Sequence, residues 1–154
     1  MDLKQFLTQL PAFQNFTPRY VEVLAGLMDV AEYPDGHIFI TQGEPGEAMY
    51  LLMDGVVQIN RLDDVSGEQQ EGRDLHSGEL FGLLSLVDNM PAGATCAATE
   101  AVVAASLPRS AFVRLFESAP PIGHHLQYMV AVQLARDLQE RNKGLRLLMR
   151  RRAA

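Results

Sequence analysis

A chain of 154 residues is long enough to bury one hydrophobic core without a disulfide or metal staple. Its composition, 47% apolar and 21% charged with no low-complexity run, excludes a disordered segment, a fibre and a disulfide scaffold. The net charge of −6 hides an asymmetry: residues 141–154 hold six basic and no acidic side chains, which leaves 1–140 with seven basic against 19 acidic. The body repels polyanions and only the tail attracts them.

Met1-Asp2-Leu3-Lys4 opens with an acid and leads into broken apolar spacing, so neither a signal peptide nor a transmembrane segment is expected. The single cysteine, Cys96 in an apolar strand, reads as a buried structural thiol of a cytoplasmic protein. Residues 3–10 and 18–28 carry helical spacing: Leu3, Phe6, Leu7 and Leu10, then Tyr20, Val21, Leu24, Leu27 and Met28. Thr17-Pro18 predicts the second start, with a capping threonine before a proline, and Pro11-Ala12-Phe13 predicts a short turn. From Val30 short strands are punctuated by glycine. Gln42-Gly43-Glu44-Pro45-Gly46-Glu47 reads as a turn and Asp54-Gly55 as a two-residue hairpin. Arg61 to Gln70, with Asp63-Asp64 and Ser66-Gly67, reads as a hairpin loop, and Glu71 to His76 returns to the sheet.

The most informative stretch follows, Gly78-Glu79-Leu80-Phe81-Gly82-Leu83-Leu84-Ser85-Leu86 and then Val87-Asp88-Asn89-Met90-Pro91-Ala92-Gly93-Ala94-Thr95. Gly82 lets a backbone approach a ligand, and the run from Leu83 to Val87 makes about one helical turn whose free N–H groups would face an anion. Met90-Pro91 predicts an extended exit into small strand residues. Val102 to Leu107 makes the last strand, and Pro108 begins a helix carrying Phe112, Leu115 and Phe116. Ala119-Pro120-Pro121 hinges into a long helix from about Ile122 to Leu148. Along it Ala131, Leu134, Leu138, Leu145 and Leu148 recur at coiled-coil spacing, with Arg141 in the missing slot. That stripe meets either a second copy or the chain's own body, and Gly144 weakens the helix near its end.

Phe81, Gly82, Pro91, Ala94 and Thr95 in this register resemble the phosphate-binding cassette of cyclic nucleotide-binding domains, whose pattern runs Phe-Gly-Glu, seven residues, Pro-Arg, a small residue and Ala-Thr. Gln42-Gly43-Glu44, then Glu47, Tyr50 and Gly55 before Val57-Gln58-Ile59, resembles the barrel signature of the same family. The resemblance spans residue 6 to about 143. It implies a mainly β fold with flanking helices, a double-stranded β-helix or jelly-roll barrel in a single domain over 1–154. N-terminal helices would occupy 1–29, an eight-strand barrel 30–107 with the cassette at 78–95, and C-terminal helices 108–150.

The resemblance also implies a regulatory sensor, in which a ligand entering the cassette moves the two helices that follow. Two positions depart from the pattern. Leu83 stands where the family has the glutamate that binds the ribose hydroxyl, and Ala92 where it has the arginine that pairs with the cyclic phosphate. Deleting the cation opposite a buried phosphate costs about 3–5 kcal/mol, so weak or lost cyclic AMP binding is expected. The expected pocket comprises Phe81, Gly82, Leu83, Leu84, Pro91, Ala92, Gly93, Ala94 and Thr95. Arg73 and His76 precede the cassette as solvated strand residues, or Arg73 replaces the missing cation. The run Val132 to Asn142 resembles the base-contacting helix of bacterial regulators, which puts Arg141 and Asn142 where those proteins keep a small hydroxyl pair. Arg141 either fills the pocket or reaches an anionic ligand.

The partners implied are a second copy, through Ala131, Leu134, Leu138 and Leu145, and a regulatory protein. The closing run Lys143 to Arg152 is where the family's transcription factors would continue into a winged helix; sequence-specific DNA reading by this chain is not expected, and the basic tail reads as a solvated helix end. A different class of function is a ligand-free interaction module in which Leu83 closes the pocket. An enzyme of the metal-binding cupin kind needs converging histidines, whereas His37 and His76 stand alone and His124-His125 point in different directions. No catalytic residue, metal or cofactor is expected beyond a cyclic nucleotide or other small anionic ligand.

Overall fold

The structure, a computed structural model, describes residues 2–62 and 67–153. The expected turn residues Asp63-Asp64 and Ser66 lie outside the described residues. The first helix, α1 (Leu3–Gln9), begins where the Asp2 carboxylate accepts the Gln5 N–H at 2.8 Å. A 3₁₀ turn at Pro11–Phe13 leads to α2 (Pro18–Leu27). Thr17 occupies the cap position of α2, but its hydroxyl makes no cap hydrogen bond; the fixed φ of Pro18 at the first helical position sets that start.

Among the described residues eight strands follow: β1 (Asp29–Tyr33), β2 (Ile38–Ile40), β3 (Ala48–Asp54), β4 (Val57–Leu62), β5 (Gln69–Leu75), β6 (Leu80–Phe81), β7 (Thr95–Ala98) and β8 (Val102–Pro108). They form two four-stranded antiparallel sheets, ordered β1-β8-β3-β6 and β2-β7-β4-β5. This is the expected mainly β roll. The expected hairpin at Asp54-Gly55 is instead a corner, because β3 lies in one sheet and β4 in the other. Gly55 has φ +98°, and a Cβ there would sit 2.6 Å from Val102 Cγ1 and 2.7 Å from Ala101 O. Close approach to the start of β8, rather than a hairpin register, is what that glycine serves. The β4–β5 connection is a true hairpin, with Val57 opposite Leu75.

Alternation along β3 sends its side chains to two cores. Met49 and Leu51 join Leu7, Leu24, Leu115 and Ile122 between sheet and helices, and Leu52 joins Val57, Leu75 and Phe81 inside the roll. Each such burial contributes about 1.5–3 kcal/mol, so β3 ties the layers together. Two helices close the fold, α3 (Arg109–Ser118) and α4 (Pro120–Ala153), separated by Ala119 alone. Pro120 and Pro121 start α4, two residues earlier than expected, where their missing N–H groups have no helical partner to lose. Ile122, Leu126 and Val130 are buried against the body, whereas Leu138, Leu145, Leu147 and Met149 are exposed. At about 1.5 Å per residue, α4 is roughly 50 Å long, and its second half projects. Among the described residues no helix is long and apolar enough to cross a membrane.

Candidate functional site

Gly82 has φ +74° and ψ 24°, and it launches a 3₁₀ turn at Leu83–Leu86. A Cβ on it would lie 2.5 Å from Ile40 Cδ1 and 3.1 Å from Ala48 O. The close approach that requires glycine is therefore to β2 and β3 of the same chain. Beyond Asn89, the only non-glycine residue with positive φ among those described, the cassette returns along the turn between β2 and β3. Ala92 N–H donates to Glu44 O and Gly43 N–H to Ala92 O, both at 2.9 Å. The Thr95 hydroxyl accepts the Gln42 N–H at 3.0 Å. Arg109, at the head of α3, clamps the other half. Its Nε donates to Ser85 O at 2.9 Å and its Nη2 to Gly46 O at 2.6 Å. The cassette is thus fastened both to the preceding turn and to the helix that follows the roll.

Beside it opens a cavity of about 530 Å³, within the range of small-molecule pockets. Ile40, Ile59, Leu80, Phe81 and Cys96 make an apolar floor. Burial pushes the Cys96 thiol up to about 12, so it lines the cavity as a neutral group. Tyr50 stacks on Phe81 at 5.2 Å, with its phenol raised first by burial and then by Tyr33 and Glu47. The charged wall has two sides. Arg61 and Arg73 come from β4 and β5, and Gln133, Asp137 and Glu140 come from α4. Gln133 Nε2 donates to Asp137 Oδ1 at 3.0 Å, and a Cβ on Gly93 would lie 3.0 Å from the other oxygen, Oδ2. A protein carboxylate therefore lies against the cassette backbone next to Ala92.

Of the residues singled out from sequence, the structure brings Phe81, Gly82, Leu83, Leu84, Ala92, Gly93, Ala94 and Arg73 to this cavity. Leu83 lines it without closing it. Pro91, Thr95, Arg141 and Asn142 fall outside its wall: Pro91 bridges Pro45, Thr95 is bonded to Gln42, and Asn142 lines a separate groove along α4. The face of α4 turned to the cavity carries residues 133, 137 and 140, which share one side of a helix; 141 lies about 100° further round. Arg73 makes a 3.5 Å ion pair with Glu79, and the Arg73 side chain is largely open to solvent, so the pair holds it weakly.

Arg61, Asp137, Glu140 and Arg109 were not singled out from sequence. A signal existed for Arg61: Val57, Ile59 and Arg61 alternate along one strand, so an arginine follows two inward-facing apolar residues. Gln133, Asp137 and Glu140 likewise show helical spacing. For Arg109 no local pattern existed, since its partners lie far away in sequence. Among the described residues no group of three or more His, Cys, Asp or Glu side chains is placed to hold a metal.

Comparison with known proteins matches residues 30–119 to the sequence pattern described as Cyclic nucleotide-binding domain. The cAMP-dependent protein kinase regulatory subunit of Blastocladiella emersonii is 33% identical over 110 residues, covering 71% of this chain and 27% of its own length. The crystal structure of Thermus thermophilus catabolite activator protein superposes with a TM-score of 0.71 at 32% identity, over 90% of this chain and 63% of that one. The regulatory subunit of a cAMP-independent protein kinase A from Trypanosoma brucei, in a triple mutant bound to cAMP, matches with a TM-score of 0.67 at 26% identity. It covers 81% of this chain and 44% of its own. The chain thus spans less than two thirds of the length of each of these relatives.

Proposed function

The chain belongs to the cyclic nucleotide-binding domain family, and from that premise we propose that it is a regulatory sensor domain in which ordinary cyclic AMP binding is weak or lost. The observation that carries this is the cassette wall of the cavity. It presents Leu83 and Ala92 where the family's glutamate and arginine are expected, and Asp137 lies against the adjacent Gly93. A phosphate placed there meets a carboxylate instead of a guanidinium. The trypanosome relative supports the reading: it is described as cAMP-independent, and one substitution of the variant seen with cyclic AMP introduces an arginine.

The open cavity favours a sensor over a module whose pocket is closed by Leu83. A second copy remains part of the proposal, because Leu138 is 60% and Leu145 47% exposed along the projecting half of α4. Leu134 packs partly on the body, so the seam would begin beyond it, and Ala131 would contribute only at its edge. A regulatory protein partner and a cytoplasmic setting complete the reading. No residue is assigned a catalytic role.

Thermal unfolding with millimolar cyclic AMP tests it. A ligand at 100 times its dissociation constant adds about 2.7 kcal/mol, which is several degrees for a domain this size. The native chain should show no shift, and the variant carrying Leu83→Glu, Ala92→Arg and Asp137→Asn should gain one. A full shift in the native chain would sink the reading.

A further inference from the structure

We propose that the cavity takes an anion-bearing organic ligand with the polarity opposite to that implied by the cassette pattern. The anionic head would rest on Arg61 and Arg73 at the sheet wall, and amine or hydroxyl donors at the far end would face Asp137 and Glu140. This rests on the sensor reading of the same cavity and assigns its ligand chemistry.

The first observation is the position of the two arginines. On β5, Arg73 stands two residues from the fully buried Leu75, and on β4, Arg61 follows Ile59, which lies opposite both Arg73 and Cys96. Alternation would normally put apolar side chains at such places, and here both cations reach the cavity wall. Among the described residues the Arg61 side chain has no hydrogen bond or ion pair, and Arg73 has only its long contact with Glu79. Two guanidiniums from neighbouring strands of one cavity wall suit a terminal phosphate or carboxylate.

The second observation is independent and lies on α4, a different wall element of the same cavity. Asp137 is partly buried, oriented by Gln133 and pressed against Gly93, so that a carboxylate faces the cavity where the cassette would receive an anion. Glu140, one turn on, adds a second negative charge. The Ala92 N–H is already donated to Glu44 O, and the Thr95 hydroxyl lies outside the wall. This end accepts hydrogen bonds and repels anions.

Calorimetric titration with adenosine 5′-monophosphate, which has a terminal phosphate at one end and an amine at the other, tests the assignment, with adenosine as the arm lacking the anion. The native chain should bind the monophosphate at least tenfold more tightly than adenosine. Arg61→Gln with Arg73→Gln should weaken it at least tenfold while the melting temperature stays within a few degrees. Asp137→Asn should weaken it as well. Tighter binding in Asp137→Asn would show the anion at the cassette and overturn the proposal, as would an unchanged affinity in the double arginine variant. Absence of heat at millimolar monophosphate would also overturn it. The sensor reading would still stand if the Leu83→Glu, Ala92→Arg, Asp137→Asn variant bound cyclic AMP, and both would fall if neither ligand bound either protein.

Discussion

Replacing Arg109 by alanine removes the joint between cassette and helices without touching the cavity floor. The guanidinium donates to two carbonyls, Ser85 O at 2.9 Å and Gly46 O at 2.6 Å, and both bonds are partly shielded from solvent. A hydrogen bond from a charged donor contributes about 1.5–3 kcal/mol. The third contact, 3.3 Å to Asp88, adds little, because the Asp88 side chain is 77% exposed. Arg109→Ala should therefore lose about 3–5 kcal/mol, which lowers the melting temperature by roughly 10 °C in a domain of this length. Arg109→Lys keeps the charge but has no fork to reach both carbonyls, and should recover about half. Urea unfolding measures the difference, with an unchanged slope showing that the shift in midpoint reports stability alone. A loss below about 1 kcal/mol in the alanine variant, or a lysine variant equal to the native chain, would refute the assignment of Arg109 as the joint.

Three further outcomes are expected. Gly82→Ala forces a side chain into left-handed backbone and against Ile40 and Ala48, and should cost about 2–4 kcal/mol by the same unfolding assay; a loss under half a kilocalorie would contradict the packing reason given for that glycine. Cys96 should resist iodoacetamide at pH 8 in the folded protein and react promptly in urea, because its thiol is held near 12 and is almost wholly protonated. In the unfolded chain the same thiol ionises from about pH 8.5, so this group's contribution to stability is intact below that pH and falls by about 1.4 kcal/mol per unit up to pH 12. Flat stability across that window would count against the shift. Leu138→Glu should abolish a dimer measured by sedimentation at tens of micromolar while leaving the melting of the protomer unchanged, since that side chain is 60% exposed; a native chain that sediments as a monomer would remove the dimer from the proposal.

The fold was legible because its signals are local and redundant. Helical spacing at Leu3–Leu10, the proline start at 18, and alternation around glycine turns each report on a few neighbouring residues. What they could not report was which strand meets which. Asp54-Gly55 has the chemistry of a hairpin, yet the same left-handed glycine also makes a corner, and the choice depends on Val102, far along the chain. The cassette was legible from Phe81 to Thr95 as a pattern, but not the employment of its atoms: Gly82 serves Ile40, and Thr95 serves Gln42. Which residues of α4 line the cavity was not legible, because a resemblance fixes register only where residues match, and a shift of one residue rotates a helix by about 100°. Arg61 keeps the alternation of Val57 and Ile59, but its partner on β5 was not legible, because the register slips by one residue between Arg73 and Gln70.

The sheet order also dictates when the roll can form. β1 lies beside β8, with Asp29 opposite Ser106; β2 waits for β7, and β3 for β6 and β8. A nascent chain therefore carries three strands with no partner, among them the apolar Tyr50-Leu51-Leu52-Met53, until β6 and β7 have been made, and β1 waits longest, for β8. Only the β4–β5 hairpin closes early. Loop-closure entropy has to be overcome before most of the pairings contribute, so refolding should be slow for 154 residues, with amides of that hairpin protected first.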